Sequence, residues 1–280
     1  MKKSMLQKCI GVSMVALSMF GGVFGVTAKA ETVDEQAPKR YVDAPVASSR
    51  AVSTEYIDFA SKQTEEYVFP YNVPYYYSTT LSNACGPIGG GIIVGYYDKY
   101  YENLISNYTA YYTASGRYRL QDDVYVPAML QELYTAMQTN VVAAGVSEQE
   151  CLDGLEACVE GKGYSINYTT VKTVNTDFNF TTYKNQIDSG NPVLLFCNSV
   201  QLLDLGCGET QDVVSTGLSS ADHIVVGFGY CKYYYYDANG NNFRTETYLK
   251  IATGWASTLT GYIRVSDGAS LDSGFAVDIY

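Results

Sequence analysis

The chain has 280 residues, of which 47% are hydrophobic, so it can bury a sizeable core and global disorder is excluded. It carries 18 basic and 29 acidic residues, a formal net charge of −11. Such a surface repels nucleic acids and anionic membranes, so neither is expected as a partner. It is compatible with neutral or basic peptide substrates.

Residues 1–30 have the pattern of a secretory signal peptide. Three lysines precede an uncharged apolar run from Cys9 to Val26, and Ala28-Lys29-Ala30 fits a small-x-small cleavage site. An uncleaved membrane anchor is the alternative, because the run is slightly long. If the signal peptide is cleaved, we expect a bacterial protein that is secreted or held at the cell surface, with no stable membrane insertion.

Residues 31–66 are polar, contain prolines and serines, and show no sustained periodicity. They are predicted to be a flexible lead-in, either a plain linker or a short pro-segment. A helix over Ala51–Gln63 is the part that could dock as an inhibitor. Residues 67–280 are predicted to form the main domain.

The first half of this domain has helical patterns. Asn83-Ala-Cys85-Gly-Pro87 precedes an apolar run in which Ile88, Ile92 and Tyr96 recur at helical spacing, predicting a helix to about Leu104. A second helix is expected after Pro127. A third is expected from Ser147, because Ser147-x-x-Glu150 is a capping box, with Gly161 as terminator.

From Tyr164 onwards the pattern changes to strands. A short helix over Thr181–Ser189 precedes buried strands at Pro192–Cys197 and His223–Tyr230, and Asp237-Ala-Asn-Gly240 predicts a hairpin. Ser215–Ser220 is predicted to be a mobile loop. This order predicts an α+β fold with an N-terminal helical lobe and a C-terminal antiparallel β lobe.

Six cysteines remain once Cys9 is removed with the signal peptide. A chain of this length does not need disulfides, and Cys197 and Cys231 lie in apolar strand patterns as small hydrophobic residues. One histidine and no closely spaced cysteine pair give no zinc pattern, so no metal or other cofactor is expected.

Cys85 and His223 are the candidate reactive pair. A cysteine at a helix N-terminus is stabilised as the thiolate by the helix dipole, and the only histidine of the chain is the natural base for it. The two lie 138 residues apart. They can react only if the fold brings them together.

Four segments, in this order, resemble papain-like cysteine peptidases, and especially the bacterial Cys-Gly-Pro branch similar to bacteriocin-processing peptidases. They are Asn83-Ala-Cys85-Gly-Pro87, Gly190-Asn-Pro192-Val-Leu-Leu, Asp222-His223-Ile-Val-Val-Gly-Phe-Gly-Tyr230 and Tyr248-Leu-Lys-Ile-Ala-Thr253-Gly-Trp255. The resemblance implies a papain-like two-lobed fold with the active-site cleft between the lobes. It also implies that Trp255 shields the histidine's hydrogen bond from water.

Two positions depart from the family pattern. Thr253 stands where the family has the asparagine or aspartate that orients the histidine, and either its hydroxyl or Asp237 could replace that group. Thr79 stands where the family has a glutamine that stabilises the oxyanion. Thr79, Thr80 or the Asn83 amide could supply this donor beside the Cys85 backbone N–H.

The resemblance implies a secreted, monomeric, thiol-dependent hydrolase that cleaves peptide bonds in peptide or protein substrates, most simply an endopeptidase. Cys85, His223, Thr253 and Trp255 would be its catalytic residues, and it would form a thioester intermediate. Two alternatives remain open. One is a cell-wall peptide amidase with the same Cys-His pair, and the other is a catalytically weak binding or adhesion module.

Overall fold

The computed structural model describes residues 37–42, 45–46, 53–70, 72–119, 122–265 and 271–280. The predicted signal peptide lies outside these residues. Over the described part the protein is mostly β, with 43% strand and 22% helix. The helices in these ranges are α1 (Cys85–Tyr97), α2 (Tyr125–Ala136), α3 (Glu148–Gly161) and α4 (Phe180–Asp188). The strands are β1 (Arg40–Tyr41), β2 (Pro45–Val46), β3 (Thr54–Asp58), β4 (Ser61–Val68), β5 (Tyr111–Tyr112), β6 (Arg117–Tyr118), β7 (Val146–Ser147), β8 (Ile166–Lys172), β9 (Val193–Cys207), β10 (Gln211–Tyr236), β11 (Asn242–Trp255), β12 (Thr258–Arg264) and β13 (Leu271–Ile279).

One antiparallel sheet dominates the described residues and is built around the 26-residue strand β10. Its nine strands are β2, β3, β4 and β8 to β13. The pairings β10–β11, β11–β12, β12–β9 and β9–β10 close a ring of four strands. A second, small core is rich in tyrosine and includes Tyr233 and Tyr235 of β10 and Tyr248 of β11.

Helix α1 lies between the sheet and the other helices, and all of its residues are buried. A helix that is apolar on every side must be covered on every side. A Cβ added to Gly89 would lie 3.2 Å from Leu194 of β9, and one added to Gly91 would lie 2.6 Å from Leu130 of α2. These two glycines allow α1 to approach the sheet on one face and α2 on another.

The predicted papain-like two-lobed α+β fold, with a helical N-terminal lobe and a separate antiparallel β lobe, is therefore wrong. The main hydrophobic core runs without a break from α2 and α3 through α1 to β9 and β10, because α1 has no face left for a boundary between lobes. The helix predicted over Ala51–Gln63 is also wrong where the structure describes these residues. They form β3 and the first part of β4, which pair with β10, so the domain boundary predicted after Glu66 falls inside a strand.

Local predictions fared better. The helix expected at Cys85 is confirmed, but it ends at Tyr97 and starts early enough for Cys85 to lie in its first turn. The capping box of α3 is confirmed, with Ser147 and Glu150 each bonding to the other's backbone N–H. The Asp237–Gly240 turn joins β10 to β11 as expected. The loop predicted at 215–220 is instead part of β10.

In the described residues, no helix is both long and apolar enough to cross a bilayer. The same part of the chain contains no cluster of three or more histidine, cysteine, aspartate or glutamate side chains arranged to bind a metal ion.

Candidate active site

Cys85 is the first residue of α1 and is only 1% exposed. Asn83 precedes it with a φ of +53°, a left-handed conformation that asparagine tolerates and that turns the chain into the helix. The Asn83 side-chain amide donates to Oδ1 of Asn140 at 2.9 Å. Because Cys85 is the first residue of α1, its sulfur lies near the positive end of the helix dipole, which stabilises an anion there.

Asn140 holds this turn from the α2–α3 connection. Its Oδ1 also accepts the Gly145 backbone N–H at 2.7 Å, and its amide donates to the Ser82 carbonyl at 3.1 Å. Asn140 could not be identified from the sequence, because an asparagine in a polar connection has no distinguishing pattern. Its contacts make it a positioning residue for the segment that leads into Cys85.

His223 lies on β10 opposite Cys197 of β9 and is also only 1% exposed. Its Nε2 is 2.8 Å from the backbone carbonyl oxygen of Thr253. A carbonyl can only accept, so Nε2 carries the hydrogen and donates it. In the neutral ring this bond selects the tautomer with its lone pair on Nδ1.

Thr253 thus contacts His223 as predicted, but through its backbone carbonyl rather than its hydroxyl. The hydroxyl donates to the Thr258 carbonyl and accepts the Trp255 backbone N–H, which closes the turn after β11. Asp237, the alternative orienting residue, instead binds the backbone N–H groups of Asn239 and Asn241 in the exposed hairpin.

Trp255 covers the imidazole. Its ring is stacked on His223 with the ring centroids 4.5 Å apart and the planes at 20°. The tryptophan is itself buried. The role predicted for Trp255, shielding the hydrogen bond of His223 from water, stays a prediction; the structure shows the stacking on which it would depend.

Flanking contacts bring the start of α1 against the His223 region. A Cβ added to Gly86, next to Cys85, would lie 3.6 Å from Ile224, next to His223. Gly254, between Thr253 and Trp255, has a φ of +77° and approaches Ile88 of α1 so closely that an added Cβ would lie 2.9 Å from Cγ2. The fold therefore gathers the four predicted residues into one region.

Two other cysteines lie near Cys85. Burial raises the pKa of the Cys151 thiol, and negative charge on Cys85 raises it further. Burial likewise raises the pKa of the Cys197 thiol, with additional effects from Asp272 and Cys85. Both thiols are held in the unreactive neutral form, since only a thiolate is a good nucleophile.

The predicted oxyanion donors differ in position. Thr79 and Thr80 are exposed in the segment before α1. Asn83 is half-buried and immediately precedes the first turn of α1, but its amide is engaged with Asn140. The backbone N–H of Cys85 belongs to the first turn of the helix, where amide groups have no intrahelical acceptor.

Beside His223 lies one carboxylate to which the sequence motif assigns no role. Asp222 precedes His223; its carboxylate accepts from Lys39 at 2.8 Å, and its backbone carbonyl accepts the Val42 N–H at 3.1 Å. Asp272, on β13, also binds Lys39. The pairing of these groups across more than 180 residues leaves no signal in a single sequence.

No family model matches the chain, and neither the curated proteins nor the solved structures compared with it give a match.

Proposed function

We propose that this protein is a secreted, thiol-dependent hydrolase that cleaves peptide bonds, with Cys85 as nucleophile and His223 as base. The proposal is supported above all by the imidazole environment. The Nε2–H of His223 is held by the Thr253 carbonyl and covered by Trp255, a tautomer and packing suited to a base that accepts through Nδ1. The motif resemblance to papain-like cysteine peptidases supports the same activity.

In this mechanism the Cys85 sulfur attacks the carbonyl carbon of the peptide bond, and His223 holds the proton released from the thiol. The carbonyl dipole of Thr253 stabilises the resulting imidazolium, without the amide side chain usual in the family. His223 then protonates the leaving amine. Water attacks the thioester, returns a proton to His223 and releases the acid product.

Peptide or protein substrates fit the acidic surface, which attracts basic peptides and repels nucleic acid. The proposed chemistry requires neither metal nor organic cofactor. The signal-peptide pattern at the N-terminus supports export from a bacterial cell.

A binding module without catalysis is the second candidate. It is favoured by one observation, namely that Cys85 and His223 are each only 1% exposed. A reactive pair must admit a substrate, whereas a structural pair can stay buried.

Casein hydrolysis and site-resolved alkylation separate these candidates. We expect casein hydrolysis and iodoacetamide labelling at Cys85 in the wild type, and loss of hydrolysis in both Cys85→Ala and His223→Ala. Cys207→Ala, at an exposed cysteine, is the matched control and should remain active. Hydrolysis that survives Cys85→Ala would contradict the proposal. Peptidoglycan digested in parallel would reveal the amidase alternative.

A further inference from the structure

An open cavity of about 370 Å³ is lined by two segments of the chain, residues 72–75 and residues 116–119. The second segment is fixed to the C-terminal end of α1, because the Tyr118 hydroxyl donates to the Tyr96 carbonyl oxygen at 2.8 Å. Cys85 is the first residue of this 13-residue helix, which is about 20 Å long. The cavity is therefore separate from the candidate active site.

Arg117 and Arg119 are the charged residues that line this cavity. The backbone N–H of Arg119 donates to the Ala110 carbonyl at 2.8 Å, so the pairing of β5 with β6 continues past the end of β6. Residues two positions apart on such an extended chain point to the same side. The lining thus carries two positive charges and no negative one, in a chain whose formal net charge is −11.

Both residues differ from the other arginines in their partners. Arg40, Arg244 and Arg264 each have a nitrogen 3.0 Å or less from a carboxylate oxygen. Within the described ranges, no carboxylate oxygen lies within 4.0 Å of a nitrogen of Arg117 or Arg119. The chain has 29 acidic residues, so a shortage of acids does not account for this difference.

Aromatic rings, rather than an acid, hold Arg119. Its guanidinium carbon is 4.7 Å from the ring centroid of Tyr108 and 4.4 Å from that of Tyr112. Such contacts orient the guanidinium plane and leave its N–H groups able to donate. The Nε atom is buried and has no hydrogen-bond partner in the part of the chain that the structure describes. A buried donor of this kind is costly unless a ligand or a water accepts its hydrogen.

Asp122 is the acid whose charge reaches this part of the molecule. Burial raises the pKa of the Tyr108 hydroxyl to about 12, Asp122 adds to the rise, and Arg119 opposes it. The Asp122 Oδ1 atom, however, accepts the backbone N–H groups of Val124 and Tyr125 at 2.7 Å and 2.6 Å. Asp122 therefore caps the start of α2 and does not neutralise Arg119.

We propose that this cavity binds a small organic anion through its carboxylate or phosphate group, with Arg117 and Arg119 as the ligands of that group. The planar fork of a guanidinium matches both groups and can donate two parallel hydrogen bonds to either. Val73 and Pro74 line the cavity as well and give the carbon body of the ligand an apolar surface. The site goes beyond the proposed hydrolase activity and does not depend on it.

Isothermal titration calorimetry of the full chain at constant ionic strength tests the site, with succinate and glycerol 3-phosphate as the probes. We expect at least one probe to bind with a Kd of about 1 mM or tighter and uncharged glycerol not to bind. Arg117→Gln and Arg119→Gln should each weaken binding about tenfold or more, because each removes charge-assisted hydrogen bonds. Lys162→Gln is the matched control: it removes one positive charge at the end of α3, outside the lining, and should change the affinity less than about twofold.

A preference for succinate or for glycerol 3-phosphate identifies the group that the site takes, and either preference supports the site. The proposal is overturned if the wild type binds neither probe, or if Lys162→Gln weakens binding as much as Arg117→Gln. Should Arg119→Gln fail to fold, as judged by urea unfolding, Arg117→Gln carries the same comparison, because Arg117 is exposed. Casein hydrolysis is not part of the readout, so an inactive protein that binds a probe through these arginines contradicts the hydrolase and supports the anion site.

Discussion

Gly254 is the point at which the strand that holds His223 touches the helix that carries Cys85. Its φ of +77° is a conformation that alanine adopts only with strain. A Cβ there would also lie 2.9 Å from Cγ2 of Ile88, closer than unstrained packing allows. Gly254→Ala therefore combines backbone strain with a steric clash inside the candidate site.

The hairpin residue Gly240 separates these two effects. Its φ is +80°, and an added Cβ would meet nothing within 4 Å, so Gly240→Ala carries the strain alone. We expect the strain to cost about 1 kcal/mol at either position. The clash should add about 1–3 kcal/mol at Gly254, because overpacking displaces neighbouring atoms. Gly254→Ala should thus cost about 2–4 kcal/mol in the free energy of unfolding.

Urea unfolding of the two variants measures the difference, and casein hydrolysis at a temperature where both are folded measures its consequence. Gly254→Ala should lose about tenfold or more in activity, since misplacing reacting groups by a fraction of an ångström is costly. Gly240→Ala should retain wild-type activity. The double variant Gly254→Ala/Ile88→Ala should show a coupling energy of about 1 kcal/mol or more, because it removes the clashing methyl group.

Equal destabilisation by Gly254→Ala and Gly240→Ala would refute this reasoning. So would a folded Gly254→Ala variant with full hydrolase activity, because the contact between α1 and β11 would then have no part in aligning the reactive pair.

Three other features of the structure each give a prediction. Thr253→Val should keep activity within about threefold, because the carbonyl rather than the hydroxyl holds His223, yet lose about 1–3 kcal/mol of stability in urea unfolding as the Trp255 N–H loses its acceptor. Lys62→Met should lose about 3–5 kcal/mol in the same assay, because it leaves the buried Asp212 carboxylate without its cation. Burial raises the pKa of Tyr75 from 10.0 to about 12, so the unfolded chain releases this proton first and stability should fall as the pH rises from 10 to 12. Tyr75→Phe should reduce that fall, as measured by urea unfolding at pH 9 and pH 11.

Each of these predictions has an outcome that contradicts it. If Thr253→Val abolished activity, the Thr253 hydroxyl rather than its carbonyl would be the group that orients His223. Lys162→Met removes the more exposed ion pair with Glu132 and should cost under about 1 kcal/mol of stability. An equally small loss in Lys62→Met would show that the buried pair with Asp212 contributes no more than an exposed one. An unchanged pH slope in Tyr75→Phe would exclude that residue as a source of alkaline instability.

Interactions between near neighbours in the chain could be predicted from the residues alone. The helix start near Cys85, which the structure puts two residues before Pro87, the capping box at Ser147 and the turn at Asp237 each depend on a few adjacent residues with distinct preferences. The choice of Cys85, His223 and Trp255 rested on residue chemistry and on motif resemblance. Their spatial convergence is a property of the fold.

The sheet and the contacts within the candidate site depend on pairing between residues that are far apart in the chain. Polar residues near 54–68 add β3 and β4 to the sheet because β10 presents free backbone groups along both edges, and backbone hydrogen bonds depend little on side-chain type. For the same reason a backbone carbonyl at Thr253 can replace a side chain expected there, and no residue pattern reveals it. The contact site of Lys39–Val42 joins residues from four distant parts of the chain. It exists only once those parts have been packed around α1, whose uniformly apolar surface requires cover on every side.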